Sequence, residues 1–168
     1  MPKGATQTVM DQKMSSGQLA MMITGPWDWP NLRKSGVDFA LAPIPGVGGN
    51  PGRPFVGVQT ALLNRSTPNT DLAVQFLEKY VCTVDGMRAM DADAPIGVPA
   101  LKSLCDEMVA KDPFIKVTYE NCQNGDVMPN IPQIGKFWSS MKAAFEIATD
   151  GGATPQIALR DAQKNMLK

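Results

Sequence analysis

The chain has 168 residues, 43% of them hydrophobic and 19% charged, with 16 Lys and Arg balanced by 16 Asp and Glu. At ~150 residues per domain this is about one domain's worth of chain, apolar enough to fold rather than stay disordered. Zero net charge gives no drive toward a nucleic-acid backbone or an anionic membrane, and the longest apolar runs fall far below the ~18 residues of a spanning helix.

In chain order, residues 6–14 place Val9, Met10 and Met14 at helical offsets, and Ser15-Ser16-Gly17 breaks the pattern. Residues 19–23 read as a buried strand stopped by Gly25-Pro26, and residues 31–35 as one or two helical turns behind Pro30. Residues 37–42 form a second strand candidate. Residues 43–54 hold four Pro and four Gly, so they must be a loop. Residues 55–63, rich in Val and Leu, are the third strand candidate. A helix is predicted over 71–80, with Leu72, Phe76 and Tyr80 on one stripe. Thr83 caps a short helix that runs to Met90, and a loop covers 91–99. Residues 100–110 are helical by pattern, and Asp112-Pro113 starts another helix that ends near Asn124-Gly125. Pro129 and Pro132 exclude a regular element over 127–132. The longest predicted helix covers 133–149, with Trp138 on its apolar stripe, and Asp150-Gly151-Gly152 stops it. Thr154-Pro155 opens the last helix, which carries Ala158, Ala162 and Met166. A few strands among many helices give an α/β class with a helix excess.

The chemistry is restrictive. The absence of His removes the commonest general base and metal ligand. Cys82, Cys105 and Cys122 are separated by 22 and 16 residues, which fits no zinc or redox motif. Their odd number leaves at least one thiol outside any intrachain pairing. No phosphate-cradling or nucleophile-elbow glycine motif is present, and the Gly46–Gly52 stretch is too rich in Pro to serve as one. The carboxylate pairs Asp91/Asp93 and Asp106/Glu107 suit helix ends and solvated faces. No enzyme, cofactor or metal is therefore expected. Binding is the alternative. Trp27 and Trp29 flank Asp28 behind a strand end, where α/β sheets take their ligands, and flat indole rings suit the C–H face of a sugar. The competing reading makes all three Trp core residues. Lys142, one turn beyond Trp138, reaches the same place on its helix or is simply a surface lysine.

Several segments carry a resemblance: Thr24-Gly-Pro-Trp-Asp-Trp29, Arg53-Pro-Phe-Val-Gly-Val58, Ala73-Val-Gln-Phe-Leu-Glu-Lys-Tyr80, and above all Met128-Pro-Asn-Ile-Pro-Gln133 followed by Phe137-Trp138. In sequence and spacing they resemble the maltose/maltodextrin-binding proteins of bacterial ABC importers, from about Gly4 to Lys168. The resemblance implies part of a two-lobed periplasmic-binding-protein fold whose N-terminal portion is missing, because family members are more than twice as long. Residues 1–57 and 113–168 then fall in the C-terminal lobe and 61–107 in the N-terminal lobe, with crossings near 58–60 and 108–112. Trp27 and Trp138 match the aromatic platform under the glucose rings, Met128 a residue on the same wall, and Lys142 a basic position filled by a different residue type. Ser139 stands where maltose-binding members often have Tyr.

The implied partners are maltose or maltodextrin and, for the full-length protein, an ABC permease. The implied compartment is the periplasm, although Met1-Pro2-Lys3-Gly4 opens into polar chain with no signal expected. Sugar binding by this chain alone is expected to be weak, because the polar clamp comes from the missing part. Uncovered helices and open strand edges predict a homo-oligomer, as a domain-swapped or edge-paired dimer. The alternative is an assembly module that reuses the half-fold without binding sugar.

Overall fold

Local capping chemistry lays out the helices of this computed structural model, which describes residues 5–167; the opening Met1-Pro2-Lys3-Gly4 lies outside them. Helix α1 covers Gln7–Ser15. A 3-10 turn over Pro26–Asp28 runs directly into α2, Trp29–Ser35, which Gly36 closes in the left-handed region. Helix α3 covers Thr70–Phe76 and continues as a wide π turn over Leu77–Val81. Helix α4 is Val84–Asp93, where the Thr83 hydroxyl accepts from the Gly86 N–H at 3.0 Å. Helices α5, Lys102–Lys111, and α6, Pro113–Asn124, are separated by Asp112 alone. That residue accepts from the Phe114 N–H at 2.7 Å while Pro113 fills the first turn. Helix α7 is Ile134–Thr149 and α8 is Pro155–Met166, with Thr154 as N-cap.

The sheet is small. Strand β1, Phe55–Val56, runs parallel to β2, Asp126–Val127, in the register Phe55↔Asp126 and Val56↔Val127. Arg53 clamps the pair: its Nε donates to Asp126 Oδ2 at 2.9 Å and its Nη2 to Oδ1 at 2.5 Å. Asp126 is held below the usual carboxylate range, chiefly by accepting from Arg53. The helix-rich α/β class is thus realised.

The strands are where the sequence reading needs correction. Residues 19–23 and 37–42 are irregular and form no strand among the described residues, and only two residues of 55–63 form a strand. An apolar run becomes a strand only where a neighbour supplies its ladder hydrogen bonds, and here none does. Met21, Ile23 and Leu62 are in consequence more than four-fifths exposed. Conversely, Asp126–Val127 does pair, because Pro129 and Pro132 forbid a longer strand but not a two-residue one. Helix α2 begins at Trp29, before Pro30 rather than behind it, since proline fits a helix's first turn. Helix α4 runs past Met90 to Asp93.

The chain divides into two compact units. One holds residues 5–9 and 128–167, the other residues 10–127. In the first, α7 packs along α8, and Ala144, Ala158 and Ala162 form a thin core flanked by Met141, Ala148 and Met166. Small residues at these positions let the two helices approach closely. In the second, the buried apolar residues are Trp29, Leu32, Leu104, Cys105 and Ile115. The Phe114 ring meets Trp29 and Phe39 edge-on, each at 5.3 Å between centroids, and the Arg33 guanidinium lies 4.9 Å over Phe114. Asn121 on α6 accepts the Ile44 N–H at 2.9 Å, which ties the proline-rich loop to this unit.

Candidate functional site

The two tryptophans around Asp28 part company. Residues two apart on a helical path are about 200° apart, so the 3-10 turn and α2 send one ring inward and the other outward. Trp29 is 3% exposed and belongs to the core, whereas Trp27 is 63% exposed. The core reading therefore holds for Trp29 alone. Trp27 does not sit at the end of a strand as the sequence pattern suggests, since residues 19–23 form none. It sits on a helical turn.

The segment beneath Trp27 is closely tied. The Thr24 hydroxyl donates to Asp28 Oδ2, and the Asp28 N–H donates to the Gly25 carbonyl at 3.2 Å. Asp28 is 5% exposed. Asp11 on α1 belongs to the same unit, and its Oδ1 is buried without a hydrogen-bond partner. Desolvation, and then the nearby Asp28 charge, raise Asp11 above the usual carboxylate range. Nothing in the sequence pattern marked Asp11, and Thr24 was visible only as the first residue of the Thr24–Trp29 motif. Asp28 was visible only as the residue between two Trp.

The other candidate residues, Met128, Trp138 and Lys142, belong to the first unit, whereas Trp27 belongs to the second. Met128 and Trp138 are partly exposed. Trp138 meets Phe137 edge-on at 5.1 Å. Its helix buries Ser140 and Ala144, which turns Trp138 and Phe145 away from the alanine core. Lys142 follows Trp138 by four residues on α7 and leans toward Glu146, with Nζ 4.0 Å from Oε1. The Ser139 hydroxyl donates to the Lys136 carbonyl of its own helix at 3.1 Å.

Among the described residues, charged side chains form surface ion pairs. Glu107 accepts from Arg88 and Lys111 at 2.6 and 2.8 Å, which lowers its pKa to about 2. Asp106 pairs with Lys102 at 2.9 Å, one helical turn away. Among the described residues no group of three or more Cys, Asp and Glu side chains is arranged to hold a metal ion, and no helix is long and apolar enough to cross a membrane.

Residues 2–117 match the family described as bacterial extracellular solute-binding protein. The chain is 25% identical over 156 residues to the galactooligosaccharide-binding protein of Bacillus subtilis (strain 168), which covers 92% of this chain and 37% of that protein. It is 27% identical over 159 residues to the maltotriose-binding protein of Pyrococcus abyssi (strain GE5 / Orsay), covering 90% of this chain and 35% of that protein. The chain thus spans little more than a third of the length of these relatives. The family match spans more than two thirds of the chain's length, and this chain therefore belongs to the bacterial extracellular solute-binding protein family.

Proposed function

We propose that this chain is part of a non-enzymatic, extracytoplasmic binding protein that takes a neutral oligosaccharide of the maltodextrin type and delivers it to an ABC permease. The observation that carries this reading is the exposure of Trp27 on a turn that buries its neighbour Trp29. An indole held at the surface by its surroundings is a ready face for a sugar ring. The resemblance adds Trp138, Met128 and Lys142 as candidate ligand contacts, and two relatives named for oligosaccharides support the ligand class. In this reading residues 1–57 and 113–168 contribute to one lobe and 61–107 to the other, joined near 58–60 and 108–112.

Magnitudes set the affinity expected of the chain alone. Burying a whole indole, ~200 Å², at ~25 cal/mol per Å² gives about 5 kcal/mol. Losing translational and rotational freedom costs ~4–15 kcal/mol. Stacking without a polar clamp therefore leaves weak binding. Titration of the 168-residue chain with maltotriose, followed by tryptophan fluorescence, is expected to show a change only at millimolar sugar, and Trp27→Phe is expected to remove most of it. A galacto-oligosaccharide in parallel reports the sugar preference. Micromolar affinity overturns the weak-binding expectation, and no response to either sugar up to its solubility limit overturns the ligand class.

A second reading rests on Met21, Ile23 and Leu62, large apolar residues exposed on irregular segments that form no strand among the described residues. Exposed apolar surface of this kind recruits another chain. This reading is a domain-swapped or edge-paired homodimer, an assembly module in its own right if sugar binding is lost. Light scattering coupled to size exclusion is expected to give twice the mass of one chain, and a monodisperse monomer argues against it.

A further inference from the structure

Beneath Trp27 lies an arrangement that serves neither the core nor the sheet. The sequence at this turn is Thr24-Gly25-Pro26-Trp27-Asp28. A Cβ on Gly25 would clash with three atoms of the six-membered ring of Trp27, so that part of the indole packs directly against the Gly25 backbone. Gly25 itself has φ −129°, a conformation open to any residue. Its requirement is therefore space and not backbone freedom. On the other side of the turn, a Cβ on Gly97 would come 3.0 Å from the Pro26 ring, and Gly97 has φ +73°. Only glycine meets both conditions there. The buried Asp28 carboxylate closes the turn by accepting from the Thr24 hydroxyl, four residues back. A carboxylate taken out of water needs such donors, and this one spends its bond on tying the two ends of the turn together.

We infer that Thr24, Gly25 and Asp28 are positioning residues for Trp27: the Thr24–Asp28 hydrogen bond closes the turn and the bare Gly25 backbone forms the seat on which the indole is held for its ligand. The inference rests on the reading of Trp27 as a sugar platform, and it adds why this particular tryptophan is held ready rather than swinging freely. A fixed ring loses less freedom on binding than a mobile one. The device is local, since all its residues fall within one unit of the chain.

The test needs no sugar, so its failure is distinct from failure of the ligand reading. The full chain is labelled with 5-fluorotryptophan and its three resonances are recorded by fluorine NMR, with Trp27→Phe assigning the Trp27 signal. Thr24→Val is expected to move that signal to the position of free 5-fluorotryptophan, while the buried Trp29 signal stays in place and reports an intact core. Thr24→Ser, which keeps the hydroxyl, is expected to restore the original position. Gly25→Ala, which fills the seat, is expected to displace the same signal without moving Trp29. An unmoved Trp27 signal in both Thr24→Val and Gly25→Ala overturns the inference. So does a joint shift of the Trp27 and Trp29 signals that Thr24→Ser does not reverse, since the change would then follow from lost packing of the unit and not from the hydroxyl that closes the turn.

Discussion

Trp29→Ala is expected to lower the stability of its unit by about 3–5 kcal/mol, the cost of deleting a buried aromatic side chain. Trp29 is 3% exposed, meets Phe114 edge-on at 5.3 Å, and has the Arg33 guanidinium 6.0 Å from its ring. Removing it leaves a cavity in a core of few residues and takes an edge partner from Phe114. Trp27→Ala, two residues away, is expected to change stability by no more than about 0.5 kcal/mol, as for an exposed position away from the core. Urea unfolding followed by far-UV circular dichroism separates the two, since a shift of midpoint at constant slope reads as stability. Equal losses for the two variants would refute the division of labour between these rings.

That division shows where the sequence was legible and where it was not. The tripeptide Trp27-Asp28-Trp29 stands out in the sequence as a candidate for ligand contact, but residue pattern alone, with a strand expected before it, treats both rings alike, and only the resemblance singles out Trp27. Once the segment is helical, two residues' separation turns the rings to opposite sides. The helix starts were the most readable feature. Thr83, Asp112-Pro113 and Thr154-Pro155 each cap as their residue types dictate, because a cap is decided by three or four neighbouring residues. Strands are decided elsewhere in the chain. Residues 19–23 and 37–42 have the composition of strands and no partner among the described residues, so composition alone overstated the sheet. The Arg53–Asp126 clamp on the two-residue sheet was invisible for the same reason, since it joins positions 73 apart. The seat of Trp27 on Gly25 was equally hidden, because Gly25-Pro26 reads as a stop signal and says nothing of the ring that covers it.

Leu104→Ala is expected to cost about 2–5 kcal/mol, the range for a fully buried leucine whose site cannot collapse. Leu104 on α5 is 1% exposed and Ile115 on α6 is 2% exposed, and the two helices pack together across the single residue Asp112. The short link fixes the helix pair, so neighbouring side chains have little freedom to fill the space that the variant leaves. Leu104→Met, which nearly conserves volume, is expected to cost less than about 1.5 kcal/mol. Chemical unfolding of both variants measures the difference, and a loss near 1 kcal/mol for Leu104→Ala would show that the helix pair closes over the gap. The position matters beyond stability. Helix α6 also carries Phe114, which meets Trp29 edge-on, and Trp29 opens the helix that continues the Trp27 turn. A helix pair that loosens at Leu104 is expected to loosen Phe114, and with it the edge contact to Trp29. The fluorine signal of Trp29 is expected to broaden in Leu104→Ala, in contrast to Thr24→Val, where only the Trp27 signal moves.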